Sequence, residues 1–161
     1  MSAGFRNPEI LFSCMEYLKT KGYNYNFLHI GAQDDRVIEL AKKYNIINDC
    51  QFLGVKSYKD TLAYCKSSSI LLVIGGTEKS EQTGKIFDYM GCQSNVLALC
   101  RQDGEIAKVC QNMDNFYTCA LEDKESINLI LIKLYNTKVN NAQVNHLYDR
   151  EYLTSELAKI I

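Results

Sequence analysis

Residues Ile70-Leu71-Leu72-Val73-Ile74 are apolar at every position, and that run limits the fold more than any other stretch. A strand with no polar position is buried on both faces, as in a parallel sheet covered by helices. The flanking sequence alternates between helical periodicity and short apolar runs. Asn7-Pro8-Glu9 combines a capping side chain, a proline for the first helical position and a first-turn acid, which predicts a helix to about Lys21, ended by Gly22. Asn26 to Ile30 reads as a strand closed by Gly31, and Asp34 or Asp35 opens a helix with Val37, Ile38, Leu40 and Ala41 on its apolar stripe. Cys50 to Leu53 is a short strand ended by Gly54, and Ser57 caps a helix through about Lys66. Beyond Ile74, Gly75-Gly76 closes the most apolar strand, a polar loop runs to Gln82, and Thr83 is expected to cap a helix to about Met90. A strand over Asn95–Leu99, a helix over 104–111, a strand over Phe116–Cys119 and helices over 124–136 and about 141–160 complete the chain.

Repeated strand–helix units of this length imply a Rossmann-like α/β domain, an open parallel sheet with right-handed crossovers and helices on both faces. The 161 residues suit one domain, with 141–161 as a helical tail. The first element is a helix where a doubly wound sheet opens on a strand, and Met1 to Phe5 is too short and polar to supply one, so the sheet is expected to lack its first strand. A net charge of −1 argues against retention on nucleic acid or anionic lipid by bulk charge. No apolar run approaches the roughly 18 residues that span a bilayer, which makes a cytosolic domain the expectation. The seven cysteines are widely spaced, form no C-x-x-C pair and have only His29 and His146 as potential co-ligands. Most sit in apolar runs, so buried, reduced thiols are expected rather than a metal site.

Ligands of open α/β sheets bind outside the carboxyl ends of the strands, which directs attention to the loops after Ile30, Leu53, Ile74 and Leu99. The segment from Gly75 to Tyr89 is the richest. A helix starting near Thr83 would aim free N–H groups at the crevice; Gly84 would let a phosphate approach, Lys85 would add a full charge, and Asp88 would share the face of Lys85. Lysine for a diphosphate and carboxylate for ribose hydroxyls is a pairing suited to a sugar nucleotide. The bland alternative is a surface Lys85–Asp88 ion pair on a capped helix. A P-loop is excluded: Lys79 stands where its first glycine is needed, and Ile86 replaces the magnesium-holding hydroxyl. The loop from Arg101 to Ile106 opens another helix, where Gly104 gives room for an anion or sugar hydroxyl; alternatively Asp103 simply caps that helix and Glu105 complements its dipole.

The stretch Thr83-Gly84-Lys85-Ile86-Phe87-Asp88-Tyr89-Met90-Gly91-Cys92, followed by Asn95–Leu99 and Gly104-Glu105-Ile106, resembles the C-terminal domain of GT-B fold glycosyltransferases, and more narrowly the retaining glycosyltransferase family four and its relatives in bacterial polysaccharide synthesis. Arg6-Asn7-Pro8-Glu9, Phe27 to Gly31 and Phe52-Leu53-Gly54 follow the same order upstream. The resemblance implies that Lys85 holds the donor diphosphate and Asp88, usually glutamate in the family, the ribose. Ser80 falls where the family often has a glutamate reaching the donor sugar, with Glu81 one place away as a substitute. Val55 and Lys56 fall in the loop that meets the nucleobase, and Gly104 and Glu105 in one lying near the donor. It further implies a UDP- or GDP-type nucleotide sugar as substrate, no metal or other cofactor, and a glycan or lipid-linked acceptor bound by an N-terminal domain that these residues do not contain. The chain is thus expected to be the donor-binding half of a hexosyltransferase in cell-surface polysaccharide synthesis, inactive alone, the whole enzyme cytoplasmic or peripheral at the inner membrane face. Its catalytic residues stay unassigned. His29 reads as a core or edge residue, and His146 lacks an acid–base partner. On the tail, Leu153, Leu157, Ile160 and Ile161 form an apolar stripe that either docks on its own domain or favours self-association.

Competing expectations are a non-catalytic nucleotide-binding or interaction module and a GT-B sugar-nucleotide epimerase. A phospho-receiver is disfavoured, because Ile74-Gly75-Gly76 carries no phosphoryl-accepting aspartate.

Overall fold

The computed structural model describes residues 6–76, 78–111, 113–137 and 158–159. Among the described residues six α-helices and five strands alternate in chain order: α1 (Glu9–Thr20), β1 (Phe27–Ile30), α2 (Asp35–Lys43), β2 (Cys50–Gly54), α3 (Tyr58–Ser67), β3 (Ile70–Ile74), α4 (Lys85–Met90), β4 (Asn95–Leu99), α5 (Glu105–Cys110), β5 (Phe116–Cys119) and α6 (Lys124–Asn136), with a 3-10 turn (Ile47–Asp49) before β2. Local chemistry accounts for most helix starts. Asn7 Oδ1 accepts from the Glu9 N–H at 3.0 Å, Asp34 caps α2 through the Arg36 N–H, Ser57 caps α3 through Asp60, and Asp123 caps α6 through Ser126.

Every strand pairing is parallel, and the strands divide into two sheets, β1-β2 and β3-β4-β5. The most buried strand is β4, not the all-apolar β3. All five β4 residues are buried because β3 and β5 flank it, whereas β3 alternates half-buried and buried residues with one edge unpaired. No strand pairing joins the two sheets among the described residues. One helix ties the halves together: Phe12 of α1 meets Phe27 of β1 edge-to-face at 5.3 Å, while Arg6, just before α1, donates to the Ile74 carbonyl at the end of β3.

Helices cover both faces. On one, Leu11, Phe12, Ala41, Leu97, Leu99, Ile127 and Leu134 form a core from α1, α2, β4 and α6, with Ile70, Leu72 and Ile74 of β3 packed against it. On the other, Leu71, Val73, Val96, Ala98, Ile86 and Ile106 join β3 and β4 to α4 and α5. This alternation along β3 and β4 is the α/β, Rossmann-like arrangement expected from the strand–helix repeat. Among the described residues no helix is long and apolar enough to cross a membrane. His146 and the expected tail helix with its apolar stripe lie, apart from residues 158–159, outside the described residues.

Candidate functional site

The space between the carboxyl ends of β1, β2 and β3 is here termed the crevice, and the segments that follow β2 and β3 carry most of the candidate side chains. At the end of β2, Gly54 adopts φ +69°, a left-handed turn that suits glycine and sends the chain into Val55 and Lys56, both exposed. The Gly31 N–H reaches the Gly54 carbonyl at 3.0 Å, so β1 and β2 leave the sheet side by side. The next residues start α3, and Tyr58 there donates its phenolic O–H to Asp88 Oδ1 at 2.8 Å. The loop after β2 thereby reaches α4, which follows β3.

Thr83 does not cap α4. The helix spans only Lys85–Met90, Gly84 occupies the cap position without a side-chain bond, and Thr83 contributes its carbonyl to the Ile86 N–H instead. Six residues carry little macrodipole, so positive charge at this point belongs to Lys85 rather than to a helix end. Lys85 is exposed and forms no ion pair among the described residues; the Asp88 carboxylate is turned to Tyr58. Its charge is felt across the crevice. Burial first, and then the Lys85 ammonium, push the half-buried His29 imidazole at the end of β1 below the ordinary histidine value. His29 lies beside the Phe52 ring, 5.7 Å between centroids.

The loop between β3 and α4 folds the other way, onto α5. The Lys79 carbonyl accepts from the Glu105 N–H at 3.0 Å, and the Gly104 N–H is bound by the Arg101 carbonyl at 3.1 Å, so the backbone donors of both candidate residues are already used. Glycine suits this approach, since a Cβ at Gly104 would lie tightly, 3.2–3.3 Å from the Arg101 and Lys79 carbonyl oxygens and the Arg101 side chain. Asp103 does not cap α5; it pairs with Arg101 at 3.0 Å and Lys79 at 3.3 Å, which hold its carboxyl down at about 2. Glu81 turns inward, accepting from the Gly76 N–H and pairing with Arg6, while Ser80 is exposed in the turn. Under this loop remains a cavity of about 10 Å³, room for one water molecule at most. A groove of about 340 Å³ lies between Gln102, Thr118 and the start of α6, and none of the candidate residues lines it.

The structure thus gathers Lys85 and Asp88 near the loop of Val55 and Lys56, and separately Glu81, Gly104 and Glu105 around the closed loop. Sequence reasoning missed Arg6, Tyr58 and His29 as neighbours of the crevice. Arg6 and Tyr58 each stand beside a recognisable cap, Asn7 and Ser57, and that adjacency was the available signal. All seven cysteines are free; six are buried and Cys50 is half-buried. Among the described residues no group of three or more His, Cys, Asp or Glu gathers where it could hold a metal ion. The fold and crevice define an α/β protein of Rossmann-like type. No protein family model matches the chain, and no curated protein matches its sequence.

Proposed function

We propose that the crevice binds the diphosphate of a nucleotide, and that the chain is the donor-binding part of a nucleotide-sugar-dependent glycosyltransferase acting on a glycan or lipid-linked acceptor. The observation that carries the reading is the position of Lys85: an exposed ammonium in the segment after β3, electrostatically coupled to His29 near the carboxyl end of β1. A compact cation facing a topological switch point suits a pyrophosphate leaving group. Asp88, three residues beyond Lys85 on α4 and held by Tyr58 of α3, suits ribose hydroxyls, and the exposed Val55 and Lys56 follow β2 nearby.

In such a reaction the developing negative charge on the leaving diphosphate is stabilised by the Lys85 ammonium. Calorimetric titration with UDP, GDP and their sugars tests the assignment. Lys85→Ala is expected to weaken nucleotide binding about 5- to 150-fold, the ~1–3 kcal/mol of a charge-assisted contact. Unchanged affinity in that variant removes the assignment.

A further inference from the structure

At the end of β3 two donors converge on one carboxylate. Arg6 is fixed by its Nη1 bond to the Ile74 carbonyl at 2.7 Å, and its Nη2 pairs with Glu81 Oε1. The other oxygen of the same carboxylate, Oε2, accepts from the Gly76 backbone N–H. The Glu81 side chain is only 17% exposed. A Cβ on residue 76 would stand 2.7 Å from Glu81 Oε2, so glycine is what lets the carboxylate reach the backbone here. A guanidinium and a backbone N–H aimed at one point recognise oxyanions in general, phosphoryl groups included. The group that fills this place comes from the same loop, five residues downstream of Gly76. The rest of the loop is held by the Lys79–Asp103 pair and the Lys79 carbonyl bond to Glu105, both at the surface and weak.

We propose that Arg6 and the Gly76 N–H form a phosphoryl-binding site in which Glu81 is a resident competitor, displaced when a diphosphate enters the crevice. The proposal rests on the reading of Lys85 above and adds to it a second anion site at the end of β3, where a phosphoryl group exchanges with the Glu81 carboxylate. Displacement swings Glu81 out, opens the loop over Gly104 and enlarges the small cavity beneath it. Glu81 therefore lowers the affinity of the free protein, because only the fraction with an open loop binds.

Inorganic pyrophosphate is the probe, titrated by calorimetry into the full chain and its Glu81→Gln, Arg6→Gln and Lys85→Ala variants, each first checked for an unchanged thermal transition. Glu81→Gln is expected to bind pyrophosphate at least about fivefold tighter than the parent chain, since neutralising the competitor raises the open fraction; Arg6→Gln is expected to bind at least about tenfold weaker. If Glu81→Gln melts early, Glu81→Asp, shorter by one methylene, replaces it and is expected to bind tighter in the same direction. In the parent chain the Gly76 amide resonance should move on saturation with pyrophosphate. Binding that depends on Lys85 but is the same or weaker in the Glu81 variants overturns the proposal and leaves the crevice reading intact. No pyrophosphate binding by any variant overturns both.

Discussion

The phenol of Tyr58 donates to the Asp88 carboxylate across 2.8 Å, joining the first turn of α3 to α4. One oxygen of Asp88 is thereby oriented, and no ion pair with Lys85 competes for it among the described residues. If Asp88 meets ribose hydroxyls, its contribution appears with a nucleoside and vanishes without one. Asp88→Asn is expected to weaken UDP about 10- to 150-fold, the ~1.5–3 kcal/mol of one hydrogen bond to a charged group, and to leave pyrophosphate affinity unchanged. Parallel titrations of the two ligands check this.

Phe12 of α1 meets Phe27 of the two-stranded sheet edge-to-face, and Phe12 is fully buried. Phe12→Ala is expected to cost about 3–5 kcal/mol in urea unfolding, from lost burial plus the cavity left behind. Leu129→Ala, at a position 69% exposed, should stay within about 0.5 kcal/mol.

The depressed pKa of His29 gives stability a definite pH dependence. The folded state holds the imidazole neutral below the ordinary value of 6.5, so the unfolded chain binds more protons as pH falls. Stability is then fully present above the unfolded pKa and is lost as pH drops from about 7 through the folded pKa. The carboxyls held low by partners, Glu9 by Lys43, Asp34 by Arg36 and Asp103 by Arg101, titrate well below this window. Urea midpoints between pH 5 and 7.5 should therefore slope in the parent chain and flatten in His29→Gln.

Burial raises the cysteine thiols, Cys50 and Cys100 to about 11 and Cys110 to about 12. At pH 8 the native chain should react slowly with a thiol-specific reagent, half-buried Cys50 leading, and all seven should react at once in denaturant. Fast labelling of a buried cysteine in the native chain contradicts this packing.

Much of the architecture was legible because local signals agreed with the global fold. Asn7, Asp34 and Ser57 bond to the helix starts that their residue types suggest, and the strand boundaries follow the apolar runs. Two readings failed for reasons that lie between segments. The all-apolar composition of Ile70–Ile74 reports the environment of each face, but burial of a strand also depends on its edge neighbours, and β3 has only β4. Thr83 and Asp103 looked like caps because both precede helices, yet the competing partners of Asp103, Arg101 and Lys79, come from its own loop and from the one before α4. The inward turn of Glu81 is of the same kind: it depends on Arg6, seventy-five residues earlier, which no local pattern near position 81 reveals.

The account stands on the Lys85 ammonium facing the crevice and receiving a diphosphate there, and the His29 imidazole is the reporter closest to that event. Its titration, followed by NMR in the parent chain and in Lys85→Ala, with and without saturating pyrophosphate, is the most direct test. The account predicts that removing the lysine charge raises the His29 pKa, and that pyrophosphate raises it in the parent chain by neutralising the same charge. A His29 titration that is identical in all samples contradicts it.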